Sequence, residues 1–366
     1  MKNLQSNPLD VNNVDVIYAN VPSELITRVS DSQSSYFDMW RGGSALIVAF
    51  GHMVQIFAPA FPVAARSLAA ALAGAAVMAF FVISGFFIHK SIAQYWVDQV
   101  NWRGFVKARI NRIYPPFVLC IVVTISLYYL APTFFTSGST NFLNPTDRTE
   151  FSLSGLWLTI LFLNNFFGPA VSANGPLWSL TYEIWYYTLA ILVVLAISGK
   201  LIGWTALPIV IILTFLDKWF FILGLIWVAG FALSVLHSRR SLPKLPNSIF
   251  VFVLPVSLFI LIPMVPTFYL GKVAMTFQLA FGIWIVSHIN NTMNSTPPFS
   301  IWPLVYSSKF AYTLYVLHFP ILLFCYGMLE NHDGVSGLSA WGSLGLAIVI
   351  SAIVGPKLEK FKIIKK

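Results

Sequence analysis

The sequence predicts an all-α integral membrane protein with about ten transmembrane helices, both termini cytoplasmic, and one short re-entrant or interfacial helix near residues 156–167. Three observations predict it. The 366-residue chain is 57% hydrophobic and only 10% charged, with a mean hydropathy of +0.77, whereas soluble domains carry about 25% charged residues. Apolar runs of near-spanning length follow one another from Gly43 to Val354. The basic residues gather beside those runs, so the formal charge of +9 reads as anchoring on an anionic leaflet, with no motif for nucleic acid.

Residues 1–38 are polar and lack the apolar core of a signal peptide. They are expected to form a cytoplasmic tail, with a short helix around Ser23–Val29, and the first apolar segment is expected to be a retained anchor. Spans are expected at Gly43–Phe61, Leu68–Ile88, Tyr114–Ala131, Leu177–Ile197, Leu201–Leu216, Trp219–Leu236, Ile249–Pro266, Thr267–Val286, Phe310–Met328 and Leu338–Val354. The segment Leu156–Phe167 is short and carries Asn164 and Asn165. If it does not span, Arg239, Arg240 and Lys244 fall on the same side as Arg103, Lys107, Arg109, Arg112 and the terminal lysines. Only Arg66, Arg148, Lys218 and Lys272 then lie outside, which satisfies the positive-inside rule. The segment is therefore expected to be re-entrant or interfacial, with its polar atoms covered by protein or a wet cavity. Residues 39–356 read as one transmembrane domain and 357–366 as a basic cytoplasmic tail. The outer loop Pro132–Glu150, rich in Ser, Thr and Asn, is a candidate substrate-facing rim. Cys120 and Cys325 stand singly in apolar stretches and are expected as core filler, and no metal-ligand cluster is present.

The chemistry centres on WRGGSALIVAFGHMVQ, residues 40–55. On a helix Arg41 and His52 fall within ~20° of one face and ~16 Å apart along the axis. That places Arg41 at a rim and His52 near mid-membrane, where an ionisable group is costly enough to mark function. Gln55 lies one turn beyond His52 on that face. Glu183 and His318 are the other ionisable residues away from span ends, and their expected depths let all three meet in one cavity. Each alone would read as a satisfied contact between helices; matched depth points to a functional path. A histidine there can take a proton from a hydroxyl, with a carboxylate beside it holding the ring. Ser84 is a nucleophile by type, but a Ser-Gly step between packed helices more often serves close packing, and no serine-hydrolase elbow is present. Arg109 and Arg112 would share a helix face suited to phosphate oxygens, or serve only as topology anchors.

Five blocks in order resemble the membrane-bound acyltransferase-3 family. They are WRGGSALIVAFGH, FFVISGFFI at Phe80–Ile88, RINRIYPPF at Arg109–Phe117, GPLWSLTYEIWYY at Gly175–Tyr187 and FAYTLYVLHFP at Phe310–Pro320. The resemblance implies an acyl-CoA-dependent O-acyltransferase, with acetyl-CoA as donor and a hydroxyl of a surface or lipid-linked glycan, such as a lipopolysaccharide or exopolysaccharide, as acceptor. It implies a bacterial inner-membrane location, His52 and Glu183 as catalytic residues, and Arg41, Arg109 and Arg112 as contacts to the donor. His318, Gln55, Ser84, Trp178 and Tyr182 are further site candidates. Whether His52 acts as general base or transient acyl carrier stays open. The long polar tail and the lack of an appended hydrolase-like domain depart from some members. The competing expectation is a proton-coupled transporter or flippase using His52, Glu183 and His318 as a relay, which the absence of an internal repeat disfavours. A non-catalytic membrane scaffold is the weakest alternative.

Overall fold

A computed structural model of the chain describes residues 29–96, 101–135, 152–238, 301–330 and 334–364. The expected spans Ile249–Pro266 and Thr267–Val286, most of Ser23–Val29 and of Pro132–Glu150, and Arg148, Arg239, Arg240, Lys244 and Lys272 lie outside the described residues. Among the described residues all regular structure is helical. The α-helices are α1 (Asp31–Ile56), α2 (Val63–Trp96), α3 (Trp102–Phe134), α4 (Leu153–Ile160), α5 (Trp178–Ile197), α6 (Ala206–Leu216), α7 (Lys218–Ser238), α8 (Trp302–Ser307), α9 (Ala311–Glu330) and α10 (Gly337–Leu358). Among the described residues six helical segments are long and apolar enough to cross a membrane: Val63–Gln94, Trp102–Phe134, Ala173–Ile197, Lys218–Ser238, Trp302–Leu329 and Gly337–Leu358. The expected span Leu201–Leu216 is a shorter apolar helical stretch.

The first helix starts inside the segment expected as a tail. Ser30 and Gln33 form a capping box: the Ser30 amide donates to Gln33 Oε1 at 2.9 Å and the Gln33 amide to Ser30 Oγ at 3.3 Å. The polar turns Asp31–Asp38 therefore continue directly into the apolar stretch that carries Arg41 and His52. Beyond Ile56 the helix gives way to a 3-10 turn, Ala58–Ala60, which contains Pro59, and Pro62 precedes α2. Arg109 and Arg112 lie within α3, three residues apart on one helix, because that helix begins at Trp102, well before the expected span.

α1 packs against α2 and α9, α2 against α7, and α9 against α3 and α10. The α2–α7 crossing brings backbone onto backbone. A Cβ on Gly85 would sit 2.1 Å from the Trp227 carbonyl oxygen, and one on Gly230 would sit 2.0 Å from that of Val82. Gly85→Ala or Gly230→Ala must push the two helices apart, at a cost of about 1–3 kcal/mol. The expected readout is a lower melting temperature in detergent, and an unchanged one would refute the close crossing.

A proline sets the depth at which α5 begins. Pro320, inside α9, has no N–H to give to the Val316 carbonyl one turn earlier. That carbonyl instead accepts from Asn174 Nδ2 at 2.8 Å and from Cys120 Sγ at 3.0 Å, which draws the 3-10 turn Ser172–Leu177 in between the middle parts of α3 and α9. Left-handed backbone at Phe162 (φ 54°) and Asn165 (φ 73°) turns the chain after α4. Asn165 Nδ2 then donates to the Trp178 carbonyl and Thr181 to Asn164 Oδ1, while Asn164 Nδ2 is buried with no hydrogen bond among the described residues. As a result α5 starts deep in the bundle, and Glu183 lies farther from the outer end than counting from an outer span end suggests.

Candidate functional site

Two cavities lie along α1. The first, about 420 Å³, is reached by Asp38 and Arg41 from α1, Lys90 from α2, and Arg109 and Arg112 from α3. The second, about 690 Å³, is lined by His52 and Gln55 from α1, Arg66 from α2 and Trp178 from α5. Val77 and Tyr315 line both.

The first cavity is strongly cationic and partly self-neutralised. Arg41 Nη1 donates to Asp38 Oδ1 at 2.8 Å, and its guanidinium lies 5.2 Å from the Phe87 ring centroid. Arg109 sits over the rings of Phe105 and Tyr187, at 5.6 and 5.9 Å, and donates through Nη2 to Ser91 Oγ at 3.4 Å. Just past α10, Glu359 accepts from the Thr313 amide and hydroxyl at 2.9 and 3.0 Å. Burial raises the carboxyls of Asp38 and Glu359 above the ordinary range. Arg41 and Arg112 oppose it at Asp38, as do the Thr313 hydrogen bonds and then Arg112 and Arg41 at Glu359. Lys90 adds a cation that sequence reasoning missed, with Nζ donating to Ser238 Oγ at 2.7 Å and 3.2 Å from His237 Nδ1. Near a span end a lysine looks like an interfacial anchor, so only its cavity-facing position reveals it.

In the second cavity His52 Nδ1 lies 2.9 Å from His318 Nε2, with the rings stacked at 5.1 Å and 25°. His318 is fully buried, and its Nδ1 is 3.0 Å from the Leu314 carbonyl oxygen. A carbonyl only accepts, so His318 carries its proton on Nδ1 and presents a lone pair at Nε2. The hydrogen bonding therefore assigns the His52 proton to Nδ1, leaving Nε2 as a bare base. The Phe319 ring meets His52 edge-on at 5.3 Å and 88°, fixing the imidazole from another side.

The family model for acyltransferase-3, described as an acyltransferase domain, matches residues 34–355. The chain belongs to the acyltransferase-3 family. Together with its apolar helices, membership makes it a multi-pass integral membrane protein and an acyltransferase. The matched region contains both cavities' sequence candidates and begins within the first turns of α1. Comparison with curated proteins and with solved structures gave no match.

Within this acyltransferase-3 chain the expected meeting of His52, Glu183 and His318 is corrected in one member. His318, not a carboxylate, orients His52. Glu183 lines the first cavity, where it accepts from Ser84 Oγ at 2.7 Å and from the Tyr187 hydroxyl. The deep start of α5 puts it there. Trp227 Nε1 donates to Ser84 Oγ at 3.3 Å, so Ser84 is tied into a hydrogen-bonded cluster while its neighbour Gly85 supplies the close packing. Trp178 and Gln55 line the second cavity. Tyr182 lines neither cavity: its hydroxyl donates to Asp217 and its ring packs near Phe166 and Phe220, which makes it a tie between α5 and the start of α7. Sequence reasoning also missed Tyr312, which lines the first cavity with a buried hydroxyl that makes no hydrogen bond among the described residues. Its position in the FAYTLYVLHFP block is the one signal that pointed to it. Cys120 is fully buried core, as expected, and no group of metal-ligating residues occurs among the described residues.

Proposed function

We propose that this protein transfers an acyl group, acetyl first of all, from cytoplasmic acyl-CoA to a hydroxyl of a surface or lipid-linked glycan. The observation that carries the reading is the bare His52 Nε2 in one cavity, with Arg41, Arg109 and Arg112 converging on the other. Arg41 and His52 are ~16 Å apart along α1, so a donor held at the arginines needs an anionic head and a long, narrow arm to place its reacting end at His52. Acyl-CoA has that chemistry, and Tyr312 adds an unpaired hydroxyl suited to an amide of the arm.

In this reading Arg41, Arg109 and Arg112 hold the phosphates at the cytoplasmic rim, and about ten spans keep both termini on that side. Trp178 and Gln55 face the acceptor. His52 Nε2 takes the proton of the acceptor hydroxyl as its oxygen bonds to the acyl carbon and the carbon–sulfur bond breaks. His318 Nε2 accepts the Nδ1 proton bond throughout and steadies the imidazolium. His52 then returns the proton to the leaving thiolate, giving ester and free thiol. Glu183, bound to Ser84 and Tyr187, acts as an anchor of the donor cavity. Its place in the first cavity, with His52 in the second, argues against a three-residue proton relay of the kind a transporter would use. The tested outcome is release of free thiol from acetyl-CoA by purified protein when a glycolipid extract from the producing bacterium is added. Acceptor movement across vesicles without acyl-CoA would overturn the reading in favour of transport.

A further inference from the structure

We infer that Val77 and Tyr315 form a fixed aperture between the two cavities, and that the side chain at position 77 sets the widest acyl group the protein transfers. The inference rests on the proposed acyl-CoA reading and adds to it the residue that selects the acyl group. Among the residues lining the two cavities, Val77 and Tyr315 are the pair common to both, so an arm extending from the arginines reaches His52 between them.

Both sides of the opening are rigid. Tyr315 donates to the Pro176 carbonyl at 3.0 Å and shares a hydrogen bond with the Ser179 hydroxyl. Its ring also lies edge-on to Phe80 at 5.8 Å and 70°. Pro176 belongs to the same inward-drawn turn, Ser172–Leu177, that the Pro320-freed carbonyl holds in place. On the opposite side Val77 is β-branched in mid-helix, where one χ1 rotamer dominates, and it is 8% exposed. Neither wall can swing aside cheaply. Beyond the opening the α2 face is built of Ala70, Ala73 and Gly74, and the second cavity is the larger of the two. The restriction therefore falls on acyl width at the opening, and the valine methyl groups are what a branched acyl group would strike, whereas an unbranched chain is no wider than the arm that carries it. A pocket rejects or admits one methylene by about 10–200-fold, so one residue at such an opening is enough to separate acetyl from the branched isobutyryl group.

The test compares kcat/KM for acetyl-CoA and isobutyryl-CoA in wild type, Val77→Ala and Val77→Ile, reading thiol release with the glycolipid extract as acceptor. Melting temperature and binding of free coenzyme A are measured alongside. Val77→Ala is expected to raise the isobutyryl-to-acetyl ratio at least about tenfold. Val77→Ile is expected to slow acetyl transfer about fivefold or more by narrowing the opening, with the affinity for free coenzyme A unchanged. Should Val77→Ala fail to fold, Val77→Ile decides. An acyl ratio that ignores residue 77, in a wild type that does transfer, overturns the aperture and leaves the proposed function standing. A wild type that neither binds coenzyme A nor releases thiol overturns the acyl-CoA reading itself.

Discussion

His52→Ala is expected to lower acyl transfer by about a thousandfold while the protein stays folded and still binds acetyl-CoA. The prediction separates chemistry from binding because His52 and the arginines belong to different cavities. Thiol release with acceptor reports the loss, and a donor-induced rise in melting temperature reports the retained binding. His318 supplies a second arm. His318→Ala removes the acceptor that holds the His52 proton on Nδ1, whereas His318→Gln can offer an amide oxygen at a similar place. The glutamine variant should therefore retain more activity than the alanine variant, and the pH profile of His318→Ala should move because its His52 tautomer is no longer fixed. Full activity in His52→Ala would remove the mechanism altogether.

Replacing Arg109 and Arg112 together by alanine is expected to weaken acetyl-CoA binding by about a hundredfold or more. Hydrogen bonds to charged groups are worth about 1.5–3 kcal/mol each. Because a phosphate far from the reacting bond is held alike before and during reaction, the loss should fall on KM, with kcat at saturation changing much less. Titration calorimetry in detergent provides the direct reading. Unaltered affinity would return both residues to the role of membrane-side anchors, which their position in the sequence equally suggested.

The apolar runs made the long helices legible: α2, α3, α5, α7, α9 and α10 each cover an expected span. Their ends were less so, because a helix continues past its apolar stretch whenever a cap permits. The Ser30–Gln33 box lies in a segment whose Asp and Ser content argued for a tail, and α3 runs polar from Trp102 before becoming apolar. At the site, matching depths along two helices brought His52 and His318 together, since both depths were counted along the apolar stretches themselves and not from the helix ends. Glu183 was misplaced for a physical reason. Its depth depended on where α5 begins, and that depends on a carbonyl that Pro320 leaves unbonded on a helix far along the chain. Val77 carried no signal of its own and Tyr315 only its place in the FAYTLYVLHFP block, since an aperture exists only between helices and neither residue type announces one.

The Asp38–Arg41 pair has a consequence for turnover. In the proposed reaction the donor and the spent carrier present the same phosphates, so any grip on the head group delays departure as much as it favours arrival. A cavity whose arginine keeps its own carboxylate within 2.8 Å swaps one anion for another at each step, and never strands a bare guanidinium. At Arg41, arrival and departure then become an exchange of phosphate for carboxylate, and free coenzyme A leaves that side chain without exposing an uncompensated charge.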